Sequence, residues 1–211
     1  MVKGGEIPRW MTMVDALVLP ADIAGHPALA LLNTWAGWSA TGVPAGEAAH
    51  RDYLPTYDHL AVLATDRGLL PRHWRAPLRR AARRDPARAE DALARAKEAR
   101  AAAYRGLVLE ARPRDLSLLA RLSLQARSEQ RLVGGDQPRW EFRSPTLEAP
   151  VLAAALTASD LLTSPKRARV TRCPGTDCGW AFVNESGRRR WCQMAVCGNR
   201  AKAKAFSARH G

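Results

Sequence analysis

For its first 172 residues the chain contains no cysteine; all four cysteines fall in the last forty. That excludes a disulfide framework for most of the protein. There is also no uninterrupted apolar run of bilayer-spanning length, and the mildly apolar stretch from Met11 to Leu19 is broken by Asp15. The expectation is a cytoplasmic protein with no membrane partner. The chain lacks a glycine-rich phosphate loop, a Rossmann fingerprint and an HExxH helix. Its five histidines, His26, His50, His59, His73 and His210, show no recognisable ligand spacing. The sequence therefore gives no positive warrant for an enzyme, and the expected class is non-enzymatic.

Acid is also scarce, but only locally. From Ser164 onward eleven Lys or Arg face Asp177 and Glu185, a net of +9, whereas the first 163 residues carry a net of only +4. A basic tail on a nearly balanced domain points to a polyanionic partner such as DNA. A chain of 211 residues holds one ordinary domain and a small appended module. The reading is a leader over 1–24, expected to be flexible, a helical domain over 25–163, and a basic linker with a cysteine module over 164–211.

What is present in the tail is a metal pattern. Four residues separate Cys173 from Cys178, thirteen lead on to Cys192, and four more reach Cys197. Two such pairs can turn back on one ion, and four thiolates close its coordination shell, leaving no position for substrate. Zinc comes first as the cofactor, ahead of an iron–sulfur cluster or disulfides. A module of this size needs such a staple, because zinc-binding free energy becomes folding free energy. Between the pairs, Trp180 to Val183 suits the first strand of a hairpin, 184–187 its turn, and Arg188, Arg189, Arg190 and Trp191 the return. Beyond Cys197, GNRAKAKAFSARH reads as a helix. Arg188, Arg189 and Arg190, with Arg200, Lys202 and Lys204, form the expected DNA contact set.

Upstream, the fold class is mainly α. Residues 26–38 have helical spacing, with Asn33 and Thr34 interrupting the apolar patch. Such side chains are bonded internally or face a pocket, and the first is favoured; Asn33 and Trp35 are the candidate ligand-binding residues. After a turn-rich linker at 42–46, Tyr53, Tyr57, Leu60 and Ala64 make a helical stripe, with Pro55 in the first turn and Gly68 as C-cap. Residues 69–74 are expected to be an irregular connection or short helix. Asp85 and Pro86 open a long Ala-rich helix, and Asp115 caps a second that runs to about Arg131. A small hairpin joins 131–133 to 139–144, and Pro150 opens a last apolar helix.

The segment CGWAFVNESGRRRWCQMAVCGNRAKAKAF resembles the CGNR zinc finger, its name spelled here by Cys197, Gly198, Asn199 and Arg200. The stretches ALLNTWAGW, YDHLAVLATDRGLL, the Ala/Arg-rich helix and APVLAAALTASDLLTSPKRARVTRC resemble the ABATE domain that precedes such fingers. The resemblance implies Cys173, Cys178, Cys192 and Cys197 as zinc ligands. It also implies a stress-response transcription regulator whose finger binds DNA and whose helical domain senses a small-molecule effector or partner. The inter-pair loop is shorter than the family's. Specificity from so small a module calls for a homodimer or for contacts from the main domain. Two other readings are an interaction or ligand-binding protein with a purely structural zinc module, and an enzyme with a site near Asn33.

Overall fold

A computed structural model describes residues 7–42, 44 and 52–210. Most of the linker read at 42–46 therefore lies outside the described residues, as do residues 1–6 of the expected leader.

The remainder of that leader is ordered as an antiparallel hairpin of β1 (Met11–Val14) and β2 (Leu17–Pro20), with Thr12 opposite Leu19. Its turn sets Asp15 and Ala16 at positive φ, so the Asp15 that breaks the apolar run is the residue that reverses the chain. Leu19 is fully buried. The expectation of a flexible leader is corrected for these residues, because the hairpin packs on both faces: Val14, Leu17 and Leu19 join the main core, and Met11 and Val18 lie against the cysteine cluster.

Helix α1 (Pro27–Leu32) is shorter than the 26–38 periodicity predicts. Its end is set by side chains that take the carbonyls a longer helix would use. The Thr34 hydroxyl donates to Leu31 O at 2.6 Å and the Trp38 indole N–H to Leu32 O at 3.1 Å. Helix α2 (Tyr57–Asp66) starts after Thr56 as N-cap, so Pro55 precedes the helix instead of sitting in its first turn. Gly68 has φ +71° just beyond its end, as a left-handed C-terminal turn requires. A 3-10 turn (Arg72–Trp74) leads into α3 (Arg75–Arg84), a ten-residue helix where an irregular connection or short helix was expected. Its five arginines disguise the pattern, since Leu78 alone is buried.

The long helix is α4 (Pro86–Val108), and the Asp85 carboxylate accepts from Arg88 N as its cap. Helix α5 (Pro113–Ser128) carries Asp115 at its third position, where it accepts from Arg112 N and from the Arg105 guanidinium at 2.7 and 2.5 Å. Strands β3 (Gln130–Val133) and β4 (Arg139–Phe142) form the expected hairpin. Helix α6 (Ala149–Leu162) buries ten of its fourteen residues and is apolar nearly all round, which makes it the central helix. α4 presents Ala89, Ala92, Ala96, Ala99, Ala102 and Ala103 to the core; these small side chains let α4, α5 and α6 approach closely.

After a 3-10 turn (Pro165–Arg169), β5 (Val170–Arg172) pairs with β6 (Ala181–Val183), Thr171 opposite Phe182. A π-helical turn (Met194–Gly198) then leads into α7 (Asn199–His210). The chain is thus mainly helical, with a four-cysteine module built from a hairpin and a C-terminal helix. The partner of β6 differs from the sequence expectation: it precedes the first cysteine pair, and residues 188–191 form no strand. Asn184 gives the reason, because its side chain accepts from Arg189 N and donates to Arg189 O, closing a tight loop that turns the chain away from β6. No helix among the described residues is long and apolar enough to cross a membrane.

Candidate metal centre and basic surface

The connection from β5 to β6 carries Cys173 and Cys178, and the segment entering α7 carries Cys192 and Cys197. Their four sulfurs lie within 4.8 Å of one another. Cys178 Sγ to Cys192 Sγ is 3.6 Å and Cys192 Sγ to Cys197 Sγ is 3.5 Å. A tetrahedron with metal–sulfur distances of about 2.3 Å has edges of about 3.8 Å, so the donor set fits zinc. Neighbouring glycines leave room for it. A Cβ on Gly175 would stand 3.0 Å from Cys197 Sγ, and one on Gly198 would collide with Met194 and Trp191.

The electrostatics of the four thiols also favour a cation. Hydrogen bonding from Cys178 and Cys192 holds Cys173 well below the ordinary thiol value. Hydrogen bonding with Cys173 pushes Cys178 and Cys192 up, and burial pushes Cys197 up. A negative charge on one sulfur thus raises the cost of charging the rest, a cost that a divalent ion removes. The Cys192 N–H also points at Cys173 Sγ, at 3.4 Å.

Arg189 belongs to this centre. Its guanidinium donates to Cys192 O at 2.5 Å, to Trp191 O at 3.2 Å and to Ile23 O at 2.8 Å, and lies 4.2 Å over the Phe182 ring. Every one of these contacts is internal, so Arg189 is corrected from a DNA-facing residue to a structural one. Arg188, Arg190, Arg200, Lys202 and Lys204 are exposed. Arg200 lies 5.1 Å over the Trp10 ring, and Arg190 lies 5.1 Å over Trp191. Nothing in the RRR run distinguishes its middle member; the signal that could have found it is Asn184, five residues earlier and able to fold the loop back.

The module is sewn to the helical domain. Asn33 donates from Nδ2 to Ala181 O at 2.9 Å and accepts from Ala181 N at 2.8 Å, replacing a missing neighbour strand for β6. The Trp180 indole donates to Trp35 O, Gly37 N to Cys178 O, and Val183 N to Ala24 O. The Tyr104 hydroxyl donates to Gly179 O at 2.7 Å and accepts from Arg172 Nε at 3.0 Å, while its ring stacks on Trp38 at 4.0 Å. Burial pushes the Tyr104 hydroxyl up to about 12, so it remains a donor. Gly179 has φ +68°, and a Cβ there would lie 3.0 Å from Trp38 Cβ; only glycine permits this approach. Asn33 and Trp35, the expected ligand-binding pair, are therefore parts of the seam. Both are buried, and Arg100 sits 5.6 Å over the Trp35 ring. Tyr104 went unnoticed in the sequence, although a lone aromatic on an alanine-lined helix face was a visible hint.

A second apolar cluster shows how far the seam extends. Cys173, Cys192 and Cys197 pack with Tyr53, Trp180, Phe182 and Val196, and Trp10, Met11, Val18 and Ile23 from the N-terminal hairpin region lie against them.

A search of curated proteins finds no significant match. Residues 169–210 match the CGNR zinc finger. Residues 25–165 match the ABATE family, described as a putative stress-induced transcription regulator. Both descriptions accord with a regulatory, non-enzymatic protein that binds zinc. With the ABATE match covering about two thirds of its length, the chain belongs to the ABATE family and carries a CGNR zinc finger after that domain.

Proposed function

We propose that the protein is a DNA-binding transcription regulator in which zinc fixes a basic surface. The observation that carries this reading is α7. No residue of this twelve-residue helix is buried, it contains no acid, and it displays Arg200, Lys202, Lys204 and Arg209. A helix with no apolar face to bury gains little from packing on its own chain. Arg200 and Lys204, one turn apart, border a groove of about 430 Å³ between α7 and Pro174, Gly175 and Thr176. Cations spaced along a groove edge suit a phosphate backbone. Zinc acts here as a closed structural ion held by Cys173, Cys178, Cys192 and Cys197; Cys197 immediately precedes Gly198, Asn199 and Arg200, so the metal fixes where α7 begins. One module offers a small contact area, which favours a homodimer on paired half-sites.

Affinity for duplex DNA should fall with salt at a log–log slope of about −4, given about 0.9 per phosphate neutralised. The Arg200→Gln/Lys204→Gln double variant should reduce that slope by about 2. A flat salt profile in the zinc-loaded protein would sink the reading. The seam supports a second one, in which the module only braces the helical domain. It predicts metal loss and destabilisation in Cys192→Ser, with DNA affinity indifferent to Arg200 and Lys204.

A further inference from the structure

Between the N-terminal hairpin, the helical domain and the zinc module lies a cavity of about 240 Å³. Trp10, Tyr53 and Trp180 wall it, Cys178 and Cys192 place it against the metal centre, and Gln193, Arg200 and Asp177 supply polar groups. Tyr53 and Trp180 meet edge to face at 6.1 Å. The Gln193 side chain donates to Arg9 O at 2.9 Å, but its Oε1 is buried without a hydrogen-bond partner among the described residues. A buried acceptor of this kind is destabilising unless a donor reaches it.

These groups define an occupant. The volume is below the roughly 300–1,000 Å³ of sites for drug-sized ligands, which limits it to a molecule of about one ring. Two indoles and a phenol favour a flat aromatic face. The lone acceptor on Gln193 requires an O–H or N–H donor, and Arg200 suits an anion. The net charge of +9 from Ser164 onward draws anions to this end of the molecule. We propose that this cavity is the effector site, and that it takes a one-ring aromatic carboxylate bearing a hydroxyl group. The ring lies among Trp10, Tyr53 and Trp180, the hydroxyl donates to Gln193 Oε1, and the carboxylate pairs with Arg200. Because Arg200 also belongs to the basic surface, an occupied cavity removes one cation from α7 and weakens DNA binding. That last step rests on the DNA-binding reading above; the binding step does not.

The test uses the zinc-loaded full chain and 4-hydroxybenzoate as probe, followed by tryptophan fluorescence and calorimetry. Saturable one-site binding is expected. Arg200→Gln, with zinc content and circular dichroism unchanged, should weaken 4-hydroxybenzoate binding about tenfold, the scale of one charged hydrogen bond, while leaving phenol binding unaltered. Gln193→Leu should bind 4-hydroxybenzoate no better than benzoate. Absence of saturable binding, an Arg200→Gln variant of unchanged affinity, or tighter binding of benzylamine, which would pair with Asp177, each overturns the proposal. Gel retardation with and without 4-hydroxybenzoate separates the two readings. DNA binding without 4-hydroxybenzoate binding removes only this inference, and the reverse result removes only the DNA reading.

Discussion

Two neighbouring arginines, Arg188 and Arg189, have opposite roles. Arg188 is exposed, while Arg189 spends its donors on three backbone carbonyls beside the thiol cluster. Arg189→Ala leaves those carbonyls unsatisfied and should cost about 2–4 kcal/mol in denaturant unfolding, whereas Arg188→Ala should stay within about 0.5 kcal/mol. Asp115 makes a second residue-scale case. Hydrogen bonds from Arg105 hold its carboxyl below the usual carboxylate value. A depressed acid stabilises the fold fully above its unfolded pKa, and that stability is lost as pH falls through the folded value. Asp115→Asn should therefore cost about 2–3 kcal/mol at pH 7, and its stability should converge with the parent's as pH falls below about 4. Unfolding curves taken across that range would show the gap closing; a constant gap would place the effect in packing instead of charge.

Among the elements, those with strong local signals were legible in advance. The Asp85 and Pro86 pair marks the start of α4, and the alternation in RWEFRS marks β4, because caps and side-chain period act within a few residues. The parts that were not legible depend on distant partners. β6 pairs with β5 across the first cysteine pair, and α1 stops early because the Thr34 and Trp38 side chains take the carbonyls of Leu31 and Leu32. The metal ligands were readable from spacing alone, since two pairs of cysteines need little further context. The separation of Arg189 from Arg188 and Arg190 was not, because beyond the loop closed by Asn184 it is decided by Ile23 and Phe182. Helix α7 carries the prediction at this scale. Deleting residues 199–211 removes no buried side chain among those described, so zinc stoichiometry should persist and stability should change by less than about 1 kcal/mol. Metal analysis with thermal melting would check both, and duplex affinity should be lost in the same protein.

At the scale of the whole molecule, the finger and the helical domain share one set of supports. β6 leans on Asn33, Cys178 O accepts from Gly37, and the hairpin at 11–20 packs against the sulfur cluster's apolar shell. Zinc-loaded protein should therefore melt in one cooperative transition by calorimetry, with chelation lowering the midpoint of the entire unfolding. Two separated transitions would show that the seam contributes little. Removal of zinc should also expose tryptophan fluorescence to quenchers, because Trp180 is buried beside the cluster.

The turn between β3 and β4 has a practical use. A Cβ on Gly134 would meet no atom within 4 Å, and Gly134 has no positive φ to forbid a substitution. Residues 9 and 10, by contrast, lie at the metal module, where Arg9 O receives the Gln193 amide and Trp10 lies under Arg200, and α7 leads directly out of it. A fluorophore attached beside Trp10 or on α7 would crowd the basic surface. Placed within 134–137, the same label would report on the protein from a site that neither the sulfur cluster nor α7 uses.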